Sequence, residues 1–145
     1  MTKIPNPKKT IESVRVKDLK PYPGNPRHNN QSAKMVAKSI ERFGYINPVV
    51  VDESLTILAG NTRTKALKLL GIKEIEVLMV HDLTDEEKNS FVIIDNRVGE
   101  YSKWNATALD RMVTNSGLDK ESMKDFGISS VQDNKKALEA LITGI

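Results

Sequence analysis

The sequence predicts an α/β fold of the α+β kind, because strand-like and helix-like segments follow one another along its 145 residues. Residues 49–51 are a β-branched run, too short for a helix and too apolar for an exposed strand, which indicates a buried strand. Other segments repeat their apolar residues at helical spacing. At Gly60 a predicted strand passes through one tight glycine turn into a predicted helix. The length fits one ordinary domain with a modest core and short extensions.

The N-terminal half is predicted to contain three short strands and two helices. Alternating apolar residues indicate the strands, and glycines and prolines mark the turns between elements. The first helix is indicated by apolar residues at positions i, i+3, i+4 and i+7, which are Ala33, Val36, Ala37 and Ile40. The predicted elements are an edge strand around Val14, Val16 and Leu19, a rigid loop at 21–26, a helix from Ser32 to Gly44, a hairpin of strands 49–51 and 55–58, and a helix from Thr62 to Gly71.

The C-terminal half begins with a predicted strand at residues 74–80, in which Ile75, Val77 and Met79 share one face. Thr84 followed by Glu87 is a capping box, so a helix is predicted to start there and to run to about residue 98. The remaining predictions are a helix with Asn105 as its N-cap that ends at Gly117, a short helix at 119–126, and a polar-then-aliphatic tail at 131–145 for which a final helix is one interpretation.

Composition excludes several classes of protein. The chain has no cysteine, which excludes disulfides, zinc–thiolate sites, iron–sulfur clusters and a thiol nucleophile. His28 and His81 are its only histidines, too few for a multi-histidine metal site. No apolar run approaches the roughly 20 residues of a membrane helix, and the basic N-terminus lacks the apolar core of a signal peptide. A cytoplasmic protein without a membrane partner is expected.

Charge is distributed unevenly, although the net charge is only +3. Residues 1–42 contain ten Lys or Arg against three Asp or Glu, and the other 103 contain twelve against sixteen. A basic N-terminal part is typical of proteins that bind a polyanion, although a basic tail can also serve solubility alone. The predicted DNA-binding residues are Lys34, Lys38 and Arg42 on the first helix. Binding is expected to be weak and non-specific, since no helix presents base-reading residues.

The segment that begins at Gly60 and continues through Asn61, Thr62 and Arg63 is the strongest candidate for a binding site. Backbone amides at a helix N-terminus bind anions, a glycine allows close approach of the backbone, and an arginine can donate two hydrogen bonds to phosphate oxygens. The spacing is not that of a P-loop. From spacing alone, an ordinary glycine turn before a helix remains an alternative interpretation.

Two further segments are candidates for phosphate or metal contacts. Arg27 lies in a proline-stiffened loop before the first helix, which suits a phosphate contact, although exposed loop arginines are common. Asp95, Asn96 and Arg97 lie in a helix that is otherwise apolar. Together they could hold a hydrated Mg²⁺ and a phosphate, or they could be a charged helix end with an intrahelical pair.

These segments together resemble the ParB/sulfiredoxin-like superfamily. Residues 19–27 (LKPYPGNPR) are similar to its first box, residues 39–51 (SIERFGYINPVVV) to the next, and residues 60–66 (GNTRTKA) to its phosphate-binding box. Residues 84–104, with the run IDNR at 94–97 and then Trp104, resemble the ParB N-terminal-like (ParB-like nuclease) domains of mobile elements that accompany DNA methyltransferases. Four boxes in the same order, over about residues 12–115, make the resemblance specific.

The resemblance implies a compact domain with a small mixed sheet and flanking helices, followed by a helical part. It also implies a site for a nucleoside triphosphate, CTP or ATP, with Mg²⁺. Arg27, the turn at residues 60–63 and the pair Asp95 and Asn96 would hold phosphates and Mg²⁺, and Asn47 would lie near the base or ribose. The implied segments are a disordered basic tail at 1–11, a ParB-like N-terminal domain at 12–100, a helical extension at 101–128 and a tail or terminal helix at 129–145.

Three functions are compatible with this pattern. The first is a nucleotide-binding module that acts in DNA partition, modification or regulation of a phage, plasmid or integrated element, with at most slow hydrolysis of the nucleotide because no general base is evident. The second is a metal-dependent DNA nuclease, for which Asp52, Glu53, Asp95 and Glu100 are the available carboxylates. The third is a nucleotide-free adaptor subunit of a DNA methyltransferase or another DNA enzyme, since Asn61 and Thr62 depart from the phosphate box. A homodimer is compatible with each.

Overall fold

The computed structural model describes residues 3–25, 30–101 and 105–128. The chain divides into two compact units, Met1–Glu100 and Tyr101–Ile145. In chain order, the elements are β1 (Lys9–Arg15), a 3₁₀ turn (Val16–Asp18), α1 (Asn30–Phe43), β2 (Val49–Val51), β3 (Ile57–Ala59), α2 (Asn61–Leu69), β4 (Glu74–Val80), α3 (Asp85–Tyr101), α4 (Ala106–Ser116) and α5 (Lys120–Asp125).

The four strands form one mixed sheet in the order β1, β4, β2, β3. β4 pairs antiparallel with β1 and parallel with β2, and β2 pairs antiparallel with β3. Helices α1 and α2 pack against each other. The predicted α/β fold, with a small mixed sheet and flanking helices, is confirmed.

The core consists of two clusters of buried side chains. β-branched residues dominate the strands because they pack well on a pleated surface. The smaller cluster contains Leu58, Val80 and Val92, so it joins β3 and β4 to α3. The larger cluster contains Val16, Leu19, Val49, Val51, Ile57, Leu67, Ile75 and Val77.

The first strand differs from its prediction. β1 starts at Lys9, inside the segment predicted to be a disordered tail at 1–11, and it pairs with β4 along its whole length. Val16 and Leu19 are buried, but they belong to the 3₁₀ turn and its C-cap instead of a strand. Their near-alternation in sequence therefore reflects a turn that inserts both side chains into the core.

Several element boundaries also differ by one to three residues. α1 begins at Asn30 instead of Ser32, α3 ends at Tyr101 instead of about residue 98, and β3 starts at Ile57 instead of Leu55. The last shift has a local cause, because the Asp52 carboxylate accepts hydrogen bonds from the amides of Ser54 and Thr56 and extends the turn. The predicted tail at 129–145, including the alternative of a final helix at 131–145, lies outside the described residues.

The predictions with strong local signals are confirmed. β4 occupies the predicted residues, and in the capping box of α3 the Thr84 hydroxyl accepts from the Glu87 amide while the Glu87 carboxylate accepts from the Thr84 amide. In the second unit, Asn105 and Asp119 cap α4 and α5 through their side chains. Among the described helices, none combines the length and apolarity that crossing a membrane requires.

Candidate phosphate-binding site

Gly60 joins β3 to α2 in a conformation that requires glycine. Its φ is +111°, in the region that side chains disfavour. A Cβ atom at this position would lie 3.2 Å from both Cα and Cγ2 of Val49, on the neighbouring buried strand. Glycine is therefore needed both for the backbone angle and for the close approach of two backbone segments.

Helix α2 begins without a side-chain cap. Gly60 occupies the N-cap position, and the Thr64 hydroxyl and amide both donate to the Gly60 carbonyl, each at 2.9 Å. Amides in the first turn of an α-helix have no partner within the helix, and the helix dipole adds partial positive charge at this end. The N-terminus of α2 is thus suited to an anion.

A polar pocket of about 150 Å³ opens at this helix end. Three separate parts of the chain line it, the first loop at Asn25, the β3–α2 junction and the middle of α3. The volume is about half of the lower bound of roughly 300 Å³ for sites that enclose drug-sized ligands, so it suits a group of phosphates better than a whole nucleotide. The lining residues are Asn25, Leu58, Ala59, Gly60, Asn61, Thr62, Arg63, Asp95 and Asn96.

Arg63 lines the pocket and also holds the preceding loop. Its Nη1 donates to the carbonyl of Asn47 at 3.1 Å and to the carbonyl of Pro48. In the same region, the Tyr45 hydroxyl accepts from the Val49 amide and donates to the Glu76 carbonyl, both at 2.8 Å. Burial raises the pKa of Tyr45 despite the hydrogen bond from Val49, so the hydroxyl remains a donor at neutral pH. Arg63 therefore has a structural function in addition to its place in the pocket.

Asp95 and Asn96 reach the pocket from α3. The Asn96 side-chain amide donates to the Val92 carbonyl at 2.8 Å, which orients this side chain along the helix. Val92 itself is buried in the smaller core cluster with Leu58, a residue that also lines the pocket. The packing of α3 on the sheet therefore sets the distance between the Asp95–Asn96 pair and the N-terminus of α2.

Two polar contacts hold the first half of α3. Lys88 forms an ion pair with Asp52 at 3.1 Å, and the Tyr22 hydroxyl donates to Asn89. The hydrogen bond with Asp52 raises the pKa of Lys88. Asp52 was among the carboxylates considered for a nuclease, but in this fold it holds the β2–β3 turn and Lys88.

Among the described residues that line the pocket, the charged groups are one arginine and one aspartate, so their formal charges cancel. Within residues 3–25, 30–101 and 105–128, no group of three His, Cys, Asp or Glu could hold a metal ion. The oxygen atoms of Asp95 and Asn96 nevertheless fit Mg²⁺, which proteins often bind through one or two carboxylates together with substrate phosphates. The donor set fits a metal that is shared with a phosphate ligand.

The structure brings together six of the predicted site residues, Gly60, Asn61, Thr62, Arg63, Asp95 and Asn96. Asn47 contacts Arg63 through its carbonyl and is not among the lining residues. Arg27 lies outside the described residues. Asn25, which lies between Pro23 and Pro26 of the first loop, lines the pocket but was not predicted as a site residue, because a loop asparagine carries no specific signal.

Other predicted residues lie outside the pocket. Arg97 pairs with Glu100 at 2.5 Å, as expected for the interpretation as an intrahelical pair. Lys34, Lys38 and Arg42 are exposed and lie at successive four-residue intervals along α1. The Arg42 guanidinium is 5.5 Å from the centre of the Phe43 ring.

Comparison with known proteins assigns the family. Residues 3–97 match the family model of the ParB N-terminal domain. The chain belongs to this family. One relative, the ParB-like nuclease domain-containing protein YnaK of Escherichia coli K12, is 36% identical over 74 residues, which is 50% of this chain and 85% of YnaK. A probable chromosome-partitioning protein ParB of Campylobacter jejuni is 30% identical over 88 residues, 57% of this chain and 31% of that protein.

Solved ParB structures support the same fold. The C-terminally truncated ParB of Caulobacter crescentus complexed with CTP-gamma-S superposes with a TM-score of 0.61 at 21% identity, covering 83% of this chain and 72% of that one. The same ParB complexed to the centromeric parS site gives a TM-score of 0.50 at 19% identity, covering 81% and 65%. This chain spans about a third of the Campylobacter ParB.

Proposed function

We propose that this ParB-like domain binds the phosphates of a nucleoside triphosphate, CTP or ATP, together with Mg²⁺. We further propose that it acts in DNA partition, modification or regulation of a phage, plasmid or integrated element. The observation that carries the proposal is the pocket in which the uncapped N-terminus of α2 faces Asp95 and Asn96. Anion-binding amides on one side and hard oxygen ligands on the other suit a metal–phosphate pair.

Each side of the pocket has a distinct function in this proposal. The first-turn amides of α2 donate hydrogen bonds to phosphate oxygens, and Arg63 adds positive charge while it keeps the loop at Asn47 in place. Asp95 and Asn96 hold Mg²⁺, which neutralises phosphate charge when it is bound. The likeness to the ParB complexed with CTP-gamma-S supports a nucleotide as the ligand.

Binding is favoured over DNA cleavage by the residues of the pocket. Asp95 is the one carboxylate among the described lining residues, and two-metal nucleases use several. The same lining set includes no histidine, glutamate or lysine to act as a general base, so any hydrolysis of the nucleotide is expected to be slow. The third function, an adaptor of a DNA methyltransferase, requires a site that binds no nucleotide.

Titration calorimetry with CTP, ATP and GTP in Mg²⁺ tests the proposal directly. We expect saturable binding of at least one of these nucleotides to the full chain. A folded sample that binds none of them would overturn the proposal and favour the adaptor function. Cleavage of supercoiled DNA in Mg²⁺ or Mn²⁺ that is lost in Asp95→Ala would instead support the nuclease.

Replacing Asp95 by asparagine should change the affinity for nucleotide in opposite directions with and without Mg²⁺. If Asp95 holds Mg²⁺, Asp95→Asn should weaken nucleotide binding in Mg²⁺ by at least about tenfold. In EDTA the same substitution should strengthen binding, because it removes a negative charge that faces the phosphates. Glu86→Gln, an exposed residue in the first turn of the same helix, is the matched control and should change neither affinity. Weaker binding of Asp95→Asn under both conditions would contradict the metal assignment.

A further inference from the structure

A groove lined by several basic residues lies at the opposite end of α2. The nine-residue helix is about 13 Å long, and a groove of about 530 Å³ opens beside its C-terminal end. The end of β1, the 3₁₀ turn, the α2–β4 connection and the start of β4 complete the groove. The lining residues are Arg15, Val16, Lys17, Lys68, Gly71, Ile72, Lys73 and Glu74.

Charge distinguishes this groove, hereafter the basic groove, from the phosphate-binding pocket. Among the described residues, four cationic side chains and one carboxylate line the groove, a formal charge of +3, whereas the charges of Arg63 and Asp95 cancel among those that line the pocket. The net charge of the whole 145-residue chain is also +3. The groove therefore concentrates positive charge in a chain that is only weakly basic overall.

The lysines of the basic groove are available for a ligand. Arg15 forms an ion pair with Asp18 at 3.0 Å, but within the described part of the chain no hydrogen bond or ion pair engages the ammonium groups of Lys17, Lys68 or Lys73. All three side chains are exposed. No carboxylate of the described residues therefore pairs with these three positive charges.

Helix stability does not explain this cluster. A lysine in the last turn of a helix interacts favourably with the helix dipole, which accounts for Lys68. Lys17 and Lys73 lie on other elements, and a backbone hydrogen bond of 2.9 Å from Val16 to Lys73 holds these two segments together. The fold thus brings three lysines from three separate segments to one groove.

We infer that the basic groove binds the phosphodiester backbone of duplex DNA without sequence preference. Lysine ammonium groups are flexible point charges, suited to a series of equivalent phosphates, whereas recognition of one small phosphate ligand favours rigid donors such as arginine or backbone amides. No aromatic side chain lines the groove within the described residues, so stacking on single-stranded bases has no platform here. The inference does not depend on the proposed nucleotide site.

The salt dependence of DNA binding tests the groove. Each phosphate contact contributes about 0.9 to the slope of log K against log salt, so Lys17→Gln/Lys68→Gln/Lys73→Gln should reduce the slope by up to about three units. Binding of a random duplex to the full chain is measured by fluorescence anisotropy, without nucleotide, over a range of salt concentrations. The control removes the same charge from exposed residues of α4 and α5, through Arg111→Gln/Lys120→Gln/Lys124→Gln, and should leave the slope near that of the wild type.

A third variant and a labelling experiment separate the alternatives. Lys34→Ala/Lys38→Ala/Arg42→Ala tests the predicted DNA-binding face of α1. The inference would be overturned if only this α1 variant changed the salt slope of DNA binding. It would also be overturned if the groove variant and the control variant had equal slopes. The absence of DNA binding by the wild type at low salt would overturn it too, as would loss of nucleotide binding by the groove variant with an unchanged DNA slope.

A labelling experiment tests the same contacts in the wild type. DNA should protect Lys17, Lys68 and Lys73 from acylation, measured by mass spectrometry. Unprotected lysines would equally overturn the inference.

Discussion

Replacing Gly60 by alanine should destabilise the domain by about 2–6 kcal/mol. A non-glycine residue at a left-handed φ costs about 1–3 kcal/mol, and forcing a Cβ into a packed interior costs about 1–3 kcal/mol more. Both costs apply here, because the φ of Gly60 is +111° and the added Cβ would lie 3.2 Å from the backbone of Val49. The measurement is the free energy of unfolding in urea, compared between the wild type and Gly60→Ala.

Gly71, at the other end of α2, provides a matched control. Its φ is +71°, and a Cβ added there would meet no atom within 4 Å. Gly71→Ala should therefore lose only the free energy that a left-handed φ costs a non-glycine residue. Gly60→Ala also has the cost of the crowded Cβ, so it should be the less stable variant by about 1–3 kcal/mol. Equal losses in the two variants would contradict the close approach between β2 and the start of α2.

The same comparison bears on the phosphate-binding pocket. An alanine at position 60 must displace Val49 or the first turn of α2, whereas an alanine at position 71 is remote from the pocket. We therefore expect Gly60→Ala to weaken nucleotide binding under conditions in which it remains folded, and Gly71→Ala to leave it unchanged. The position of the helix amides, and not only the presence of the helix, sets the affinity for an anion.

Elements with strong local signals could be predicted from the sequence. β4 alternates exposed and buried residues over its first four positions, and α3 begins with a reciprocal capping box, so both signals lie within a few residues of the element that they define. The glycine junction before α2 was predictable for the same reason. The candidate pocket was predicted through a resemblance, because nothing local relates Asp95 to Gly60, 35 residues apart in the chain.

Contacts between distant segments were not predictable. The hydrogen bonds from Arg63 to the carbonyls at positions 47 and 48 use backbone atoms, which carry no residue-specific signal. The first strand was placed too late because Lys9 and Thr10 belong to it through pairing with β4, 70 residues further along the chain. Lysine has a low intrinsic strand preference and a single threonine beside it is a weak signal, so the partner strand decides the conformation of this segment.

The ion pair between Asp52 and Lys88 is another contact between distant segments that was not predictable from the sequence. We expect it to contribute to the stability of the fold. Asp52 is only 5% exposed, and its carboxylate accepts hydrogen bonds from the amides of Ser54 and Thr56 as well as from Lys88. Asp52→Ala removes all three acceptor contacts and should cost about 2–4 kcal/mol of unfolding free energy. Lys88→Met should cost less, about 1–2 kcal/mol, because the lysine side chain is partly exposed.

A double-mutant cycle isolates the pair from the turn. The free energy of unfolding in urea is measured for the wild type, Asp52→Ala, Lys88→Met and the double variant. Lys120→Met, at an exposed position, is the control for loss of a lysine. We expect a coupling energy of about 1–2 kcal/mol between positions 52 and 88. Additive losses would mean that Asp52 stabilises only its own turn and that Lys88 does not anchor α3.

The pH dependence of the pair has a definite sign. The hydrogen bond with Asp52 raises the pKa of Lys88 above the ordinary value of 10.5, so the folded state holds this proton more tightly than the unfolded state. The stabilisation is then fully present below pH 10.5 and is lost as the pH rises through the raised value. The difference in unfolding free energy between wild type and Lys88→Met should therefore be constant from pH 7 to about 9.5 and should shrink above 10.5. Other lysines and tyrosines titrate in both proteins and cancel in this difference, so a loss that begins between pH 7 and about 9 would exclude Lys88 as its source.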